Sequence, residues 1–132
     1  MRPAISLRKG GQALLIFVLL FGFGLGISEV AAHSRLVRSE PSARAVLDTA
    51  PKEIKLWFNE AVEPAFAKFW IIPAQGAQIS LTARGDSSDK RELIVTLPDN
   101  LPAGPVNIGF HVLSVDGHVV EDKLTFTIKN PA

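Results

Sequence analysis

The chain has 132 residues and carries 14 Lys and Arg side chains against 13 Asp and Glu side chains, a formal net charge of +1. This balance excludes the strongly basic surface with which proteins bind nucleic acids. The chain contains no cysteine, which excludes disulfide bonds, thiolate metal sites and a cysteine nucleophile. Its length suits one domain preceded by an export segment.

The N-terminal stretch has the layout of a secretory signal peptide. Arg2, Arg8 and Lys9 precede an apolar run at residues 13–23, and small side chains follow it. This layout predicts a signal peptide over residues 1–32 that is removed on export. The alternative is an uncleaved membrane anchor, but a spanning helix usually needs about 20 apolar residues, more than this run supplies.

The predicted cleavage point determines which residue begins the mature protein. Cleavage after Ala32 leaves His33 with a free α-amino group, at the start of an exported domain that spans residues 33–132. An N-terminal histidine can offer its amine and its imidazole Nδ1 to one metal ion, because the two atoms close a chelate ring. In an uncleaved chain, His33 could offer the imidazole alone.

The exported domain is predicted to form short strands separated by proline and glycine. Residues 53–59 alternate, with Ile54, Leu56 and Phe58 on one face, and this period of two predicts a half-buried strand. Further strands are predicted at 34–39, 69–72, 78–83, 92–97, 106–115 and 123–129, and the polar segment 84–91 is predicted to be an exposed loop. Seven short strands favour an all-β, antiparallel β-sandwich.

Asp116 and His118 form the most informative pair of polar side chains, separated by Gly117. In an extended backbone, side chains two residues apart point to the same side, so a carboxylate and an imidazole can meet at one ion. Imidazole, carboxylate and amine suit Cu(II), Ni(II) or Zn(II), and a tetragonal set of N and O ligands favours Cu(II). The alternative is an Asp-Gly hairpin turn without a metal.

Two other residues are candidates for the same site, and no enzyme motif is present. Glu60 follows a predicted strand end, where its side chain can reach over the rim of a sandwich. His111 is predicted to face outward, opposite Ile108, Phe110 and Val112, and is an auxiliary ligand only if that face turns toward the site. The sequence contains no Gly-rich phosphate loop, Gly-x-Ser-x-Gly elbow or His-Glu-x-x-His helix, so we expect a protein that is not an enzyme.

Four stretches in this order resemble the CopC family of periplasmic copper-resistance proteins, including its YobA-like branch. They are AHSRLVRSEP at 32–41, APKEIKLWFNE at 50–60, LPAGPV at 101–106 and VLSVDGH at 112–118. The resemblance covers essentially the whole exported domain. It implies a seven-stranded Greek-key β-sandwich or barrel of the immunoglobulin-like type.

The resemblance also implies a copper site and a role. One Cu(II) per chain would be held by the amine and imidazole of His33 together with Asp116 and His118, and in some members by a glutamate that corresponds to Glu60. Such a protein would be a periplasmic monomer that carries or buffers copper in resistance or homeostasis and hands it to an inner-membrane transporter of the CopD type. Some members bind Cu(I) through a methionine-rich loop, but Met1 is the only methionine here, so we expect binding of Cu(II) alone.

Two other functions remain open at this point. A histidine brace, in which an N-terminal histidine and a second histidine hold copper, occurs in copper-dependent oxidases that activate oxygen. The other is a metal-free β-sandwich that contacts other proteins.

Overall fold

The computed structural model describes residues 34–131 as an all-β domain. His33 and the predicted signal peptide lie outside the described residues. The strands are β1 (Leu36–Glu40), β2 (Val46–Leu47), β3 (Glu53–Phe58), β4 (Lys68–Ile71), β5 (Ile79–Asp86), β6 (Asp89–Thr96), β7 (Gly104–Leu113) and β8 (Val119–Ile128). A short 3-10 turn, Pro64–Phe66, lies between β3 and β4. Within residues 34–131, no helix has the length and apolar character needed to cross a membrane.

The strands form one curled sheet in the order β1-β3-β6-β5-β4-β7-β8-β2. Every pair is antiparallel except β2 with β8, which is parallel. Strand β5 passes from one layer of the sheet to the other, because residues 79–81 pair with β4 and residues 82–86 pair with β6. The predicted all-β sandwich is therefore confirmed, with a two-residue strand, β2, added to the seven that were predicted.

The core lies between the two layers and follows from the alternation along the strands. In β3, Ile54, Leu56 and Phe58 are buried while their neighbours are partly exposed. Three phenylalanines fill the centre, where Phe110 stacks on Phe69 with ring centroids 5.6 Å apart and meets Phe58 edge-on at 6.1 Å. Aromatic pairs in these geometries add to the stabilisation that comes from burial alone.

The prediction of an exposed loop at 84–91 is wrong. Strand β5 continues to Asp86 and β6 begins at Asp89, so only Ser87 and Ser88 form the turn. The segment is polar because this hairpin keeps one face in solvent, where Arg84 forms an ion pair with Glu53 at 3.0 Å. An antiparallel sheet tolerates such polar residues on its outer face.

The last two strands also differ from their predicted ranges. Strand β7 starts two residues earlier and ends two residues earlier than predicted, and β8 begins at Val119, well before residue 123. The two strands pair over their whole length, from Gly104 with Ile128 to Leu113 with Val119. This long hairpin carries the Asp116-Gly117-His118 segment at its tip.

Candidate metal centre

The connection between β7 and β8 is a tight turn that positions the candidate ligands. The Ser114 N–H donates to the His118 carbonyl at 2.8 Å, and the Gly117 N–H donates to the Ser114 carbonyl at 3.0 Å. Gly117 has a φ of +94°, a conformation that glycine adopts without steric cost. The expectation of an extended backbone between Asp116 and His118 is therefore wrong, because the chain reverses direction here.

The turn is held against the segment that follows β3. Val62 and Ser114 form an isolated β-bridge. The Val115 N–H donates to the Ala61 carbonyl at 3.0 Å, and the Glu63 N–H donates to the Leu113 carbonyl at 2.9 Å. These bonds fix the tip of the β7–β8 hairpin beside the residues that follow Glu60.

Asp116 and His118 meet in this turn despite the reversed chain. The Nδ1 of His118 lies 3.1 Å from Oδ1 of Asp116, and the two side chains are 46% and 40% exposed. An ionised carboxylate can only accept hydrogen bonds, so Nδ1 carries the proton and Nε2 holds the lone pair. An imidazole held in this way by a carboxylate is suited to bind a metal through its other nitrogen.

Glu60 joins this pair through its contact with Asp116. The hydrogen bond to Asp116 raises the pKa of Glu60, with partial burial and the charge of Asp116 acting in the same direction and the charge of His118 opposing them. Hydrogen bonds from Ser114, Glu60 and His118 hold the pKa of Asp116 well below its usual range. Asp116 is thus the ionised member of the pair, and Glu60 is the carboxyl that holds a proton more readily.

Ser114 is a residue of this site that the sequence analysis missed. Its side chain is buried, and its hydroxyl donates to Oδ1 of Asp116. The His118 N–H donates to the same hydroxyl oxygen at 3.2 Å. Serine side chains in turns commonly bond to nearby backbone groups, and the position of Ser114 just before the Asp-Gly turn is the one signal in the sequence that could have identified it.

The chain that follows His33 runs beside the same corner of the fold. The Arg35 N–H donates to the side-chain carbonyl of Asn59 at 2.7 Å, and the Asn59 N–H donates to the Arg35 carbonyl at 3.0 Å. Asn59 directly precedes Glu60. The first described residues are therefore tied next to the Glu60 and Asp116 pair.

The described part of the chain does not by itself form a metal cage. Among residues 34–131, no group of three or more His, Asp or Glu side chains is arranged to hold a metal ion. Within the β7–β8 turn itself, the candidate metal ligands are Asp116 and His118, and Glu60 reaches Asp116 from the segment after β3. A tetragonal Cu(II) site needs further ligands, and these would have to come from outside the described residues.

His111 lies on the outer face of the sheet, as predicted. Its neighbours Phe110 and Val112 are fully buried, whereas its own side chain is 39% exposed. Its Nδ1 lies 2.8 Å from the carboxylate of Glu121 on β8. This contact occupies His111 with a cross-strand partner, so the structure gives no support to its role as an auxiliary ligand.

Comparison with protein families gives a match over nearly the whole described domain. A family model for the CopC domain matches residues 36–129. Protein YobA of Escherichia coli (strain K12) is 38% identical over 101 residues, which cover 76% of this chain and 82% of that protein. Copper resistance protein C of Pseudomonas syringae pv. tomato is 31% identical over 120 residues, which cover 86% of this chain and 94% of that protein.

Two further relatives extend the comparison to a transport protein and to a crystal structure. Copper transport protein CutJ of Bacillus subtilis (strain 168) is 29% identical over 98 residues, which cover 74% of this chain and 18% of that protein. The crystal structure of CopC from Methylosinus trichosporium OB3b superimposes with a TM-score of 0.68 at 39% identity, covering 74% of this chain and 95% of that structure.

Proposed function

This chain belongs to the CopC family, and we propose that it is a periplasmic protein that binds one Cu(II) ion and carries or buffers it. The family is one of copper-binding resistance proteins and not of enzymes. The proposal assigns the exported chain a role in copper resistance or homeostasis. Support for its export comes from the predicted signal peptide.

The observation that carries the proposal is the meeting of Asp116 and His118 at the tip of the β7–β8 hairpin. An imidazole whose Nδ1 donates to a carboxylate is held in a fixed orientation, as metal-binding imidazoles usually are. The turn is held by backbone bonds to the segment after β3, so little freedom is lost when an ion binds. Both side chains remain partly exposed, which gives an ion a direct path in and out.

We propose that His33 completes the site with its α-amine and its imidazole. Removal of the signal peptide after Ala32 creates that amine. Support comes from Arg35, two residues later in the chain, whose N–H donates to Asn59, the residue directly before Glu60. The resulting set has three nitrogens and one carboxylate oxygen, a composition that favours tetragonal Cu(II).

Glu60 has a supporting place in the proposed site. Its contact with Asp116 would let its carboxyl group serve as a further oxygen ligand. The absence of methionine after Met1 supports binding of Cu(II) in preference to Cu(I), because Cu(I) prefers soft thioether ligands.

We further propose that the monomeric protein delivers copper to an inner-membrane transporter of the CopD type. Support comes from the match to 18% of a copper transport protein, in which a region similar to this domain is part of a longer chain. A separate domain of this kind would have to dock transiently. The partial exposure of Asp116 and His118 is the geometry that a transferable ion requires.

The test uses the exported protein, purified after expression of the full chain, with its N-terminal residue identified by mass spectrometry. We expect Cu(II) titration to give one tight site, and the paramagnetic resonance spectrum at one equivalent to show tetragonal copper with nitrogen couplings. His118→Ala should remove one nitrogen coupling and weaken binding at least tenfold. His111→Ala, which removes a histidine from the outer face, is the matched control and should leave both unchanged.

A second variant isolates the N-terminal amine. One extra residue before His33 displaces the amine from its chelate ring, so Cu(II) binding should weaken strongly while the imidazole stays in the chain. Equal affinity of the extended protein would remove His33 from the proposed set. A protein that binds no stoichiometric Cu(II) would contradict the copper site as a whole and favour a metal-free interaction module.

A further inference from the structure

We infer that Ser114 is a positioning residue of the copper site: its buried hydroxyl fixes the turn from which Asp116 and His118 would reach the ion. The inference rests on the proposed function, which it deepens by naming a residue that acts through two ligands without touching the ion. The sequence analysis did not assign Ser114 to the site.

The first observation is the burial of Ser114 in a turn that is otherwise exposed. Ser114 is 1% exposed, whereas the side chains of Asp116 and His118 are 40% and 46% exposed. A buried hydroxyl without partners would destabilise the fold by about 1–3 kcal/mol. Its place here therefore depends on the hydrogen bonds that it forms.

The second observation is that both hydrogen-bonding roles of the hydroxyl are directed to the candidate ligands. Its proton goes to the Asp116 carboxylate, which is a stronger acceptor than the neutral His118 carbonyl 3.2 Å away. Its oxygen accepts the His118 N–H at 3.2 Å. One side chain thus bonds to the side chain of the first ligand and to the backbone of the second.

The third observation concerns which oxygen of Asp116 is engaged. Oδ1 accepts from the Ser114 hydroxyl, from the His118 N–H at 3.3 Å and from His118 Nδ1 at 3.1 Å. These three bonds to one oxygen restrict the rotation of the carboxylate. Ser114 therefore restricts the rotation of the carboxylate and, through the His118 N–H, the backbone that carries the imidazole.

Loss of the hydroxyl should therefore loosen both ligands without removing either. Asp116 would lose its buried donor and could rotate about its side-chain bonds, and the His118 N–H would keep only its longer bond to Asp116. Residues that orient metal ligands typically change affinity by about 10–100-fold when they are replaced. We expect Ser114→Ala to weaken Cu(II) binding within that range and to shift the copper hyperfine splitting.

The experiment compares Ser114→Ala with Ser39→Ala in the exported protein. Ser39 is also buried, and its hydroxyl donates to the Pro41 carbonyl at 2.8 Å, far along the chain from the turn. Cu(II) affinity is measured by competition with a chelator of known strength, at a temperature where the amide spectra show both variants folded. Only Ser114→Ala should change the affinity and the paramagnetic resonance spectrum. In the metal-free protein, it should also speed hydrogen exchange at the His118 amide.

An isosteric pair separates the hydroxyl from the packing of the side chain. Ser114→Thr keeps the hydroxyl, and Ser114→Val has the shape of threonine without it. The Thr variant should therefore bind Cu(II) more tightly than the Val variant, by the same factor that separates the wild type from Ser114→Ala. The inference is overturned if the wild-type protein binds Cu(II) and Ser114→Ala binds it equally well, or if Ser114→Val binds it as tightly as Ser114→Thr. Either result leaves the proposed function intact. Wild-type protein that binds no Cu(II) overturns both.

Discussion

At the scale of single residues, two pairs of neighbouring carboxyl groups have pKa values that are shifted apart. In each pair the pKa of one member is lowered and that of the other is raised: Asp116 and Glu60 at the turn, and Asp86 and Glu92 on the β5–β6 hairpin. Adjacent carboxylates disfavour double ionisation, so one keeps its charge and the other holds its proton more readily.

The second pair lies in a cleft of about 410 Å³ next to the turn. Asp86 accepts hydrogen bonds from the backbone and side chain of Ser88, each at 2.9 Å, and these bonds lower its pKa. Glu92 is only 7% exposed. Burial is the main reason that the pKa of Glu92 is raised, and the hydrogen bond to Asp86 and the charge of Asp86 act in the same direction. The charge of Lys55 lowers this pKa.

Replacement of Glu92 by glutamine should make the domain more stable at neutral pH. A carboxyl with a raised pKa in the folded protein stabilises the fold fully below its unfolded pKa, near 4.5. That contribution is lost as the pH rises through the folded pKa. Glutamine donates to Asp86 at every pH, so the variant avoids the loss. We expect the midpoint of thermal unfolding to rise by about 3 °C at pH 7–8, and the gain to disappear near pH 4.

The control is Glu63→Gln, which removes another carboxyl from the lining of the same cleft. A gain for Glu92→Gln that is equal at pH 4 and pH 8 would show that the buried carboxyl of Glu92 does not hold its proton more readily in the folded protein. Subtracting the Glu63→Gln profile removes the general effect of one lost charge.

At the scale of elements, the outer face of the β4–β7 pair depends on one close contact. Gly109 on β7 pairs with Trp70 on β4, and a Cβ placed on Gly109 would lie 2.5 Å from the indole nitrogen. The Trp70 ring therefore covers the strand where a side chain would otherwise stand. A glycine inside a strand often marks such a close approach.

Gly109→Ala should destabilise the domain by about 1–3 kcal/mol, because the added methyl group forces the indole ring away from the strand. Urea unfolding measures the loss through a lower midpoint. The same substitution in a Trp70→Ala background removes the clash and should be neutral or slightly stabilising, since alanine suits a strand better than glycine. Equal losses in the two backgrounds would mean that the indole ring is not the cause.

At the scale of the whole molecule, both layers of the sandwich meet at Phe110. Its ring stacks on Phe69 and meets Phe58 edge-on, and no part of its side chain is exposed. Strand β3 supplies Phe58, β4 supplies Phe69 and β7 supplies Phe110. The aromatic cluster therefore joins strands from both layers.

Phe110→Ala should lower the free energy of unfolding by about 3–5 kcal/mol, the usual cost of a large cavity in a core. Phe66→Ala is the control, because Phe66 is 60% exposed and its loss should change stability by less than about 0.5 kcal/mol. Urea unfolding of both variants gives the comparison. Similar losses in the two would contradict the central role of the aromatic cluster.

The sequence alone predicted the elements in which apolar, buried residues alternate with polar, exposed ones. Strand β3 was identified because buried and exposed residues alternate within it, and His111 was placed outward because its neighbours are apolar. The two strands of the β5–β6 hairpin were predicted at 78–83 and 92–97, but their polar ends at 84–91 were taken for a loop because they are mostly exposed. Local sequence cannot distinguish a polar strand from a polar loop when the partner strand is unknown.

The sequence by itself determined the chemistry available at the candidate site, and the tertiary structure decided its arrangement. Asp116, His118, Glu60 and His33 could be named from residue type, spacing and family resemblance, and His33 stays a prediction outside the described residues. Only the fold brings Glu60 against Asp116 and buries Ser114 beneath both ligands. Burial and contact depend on strands distant along the chain, because the segment after β3 packs on the tip of the β7–β8 hairpin.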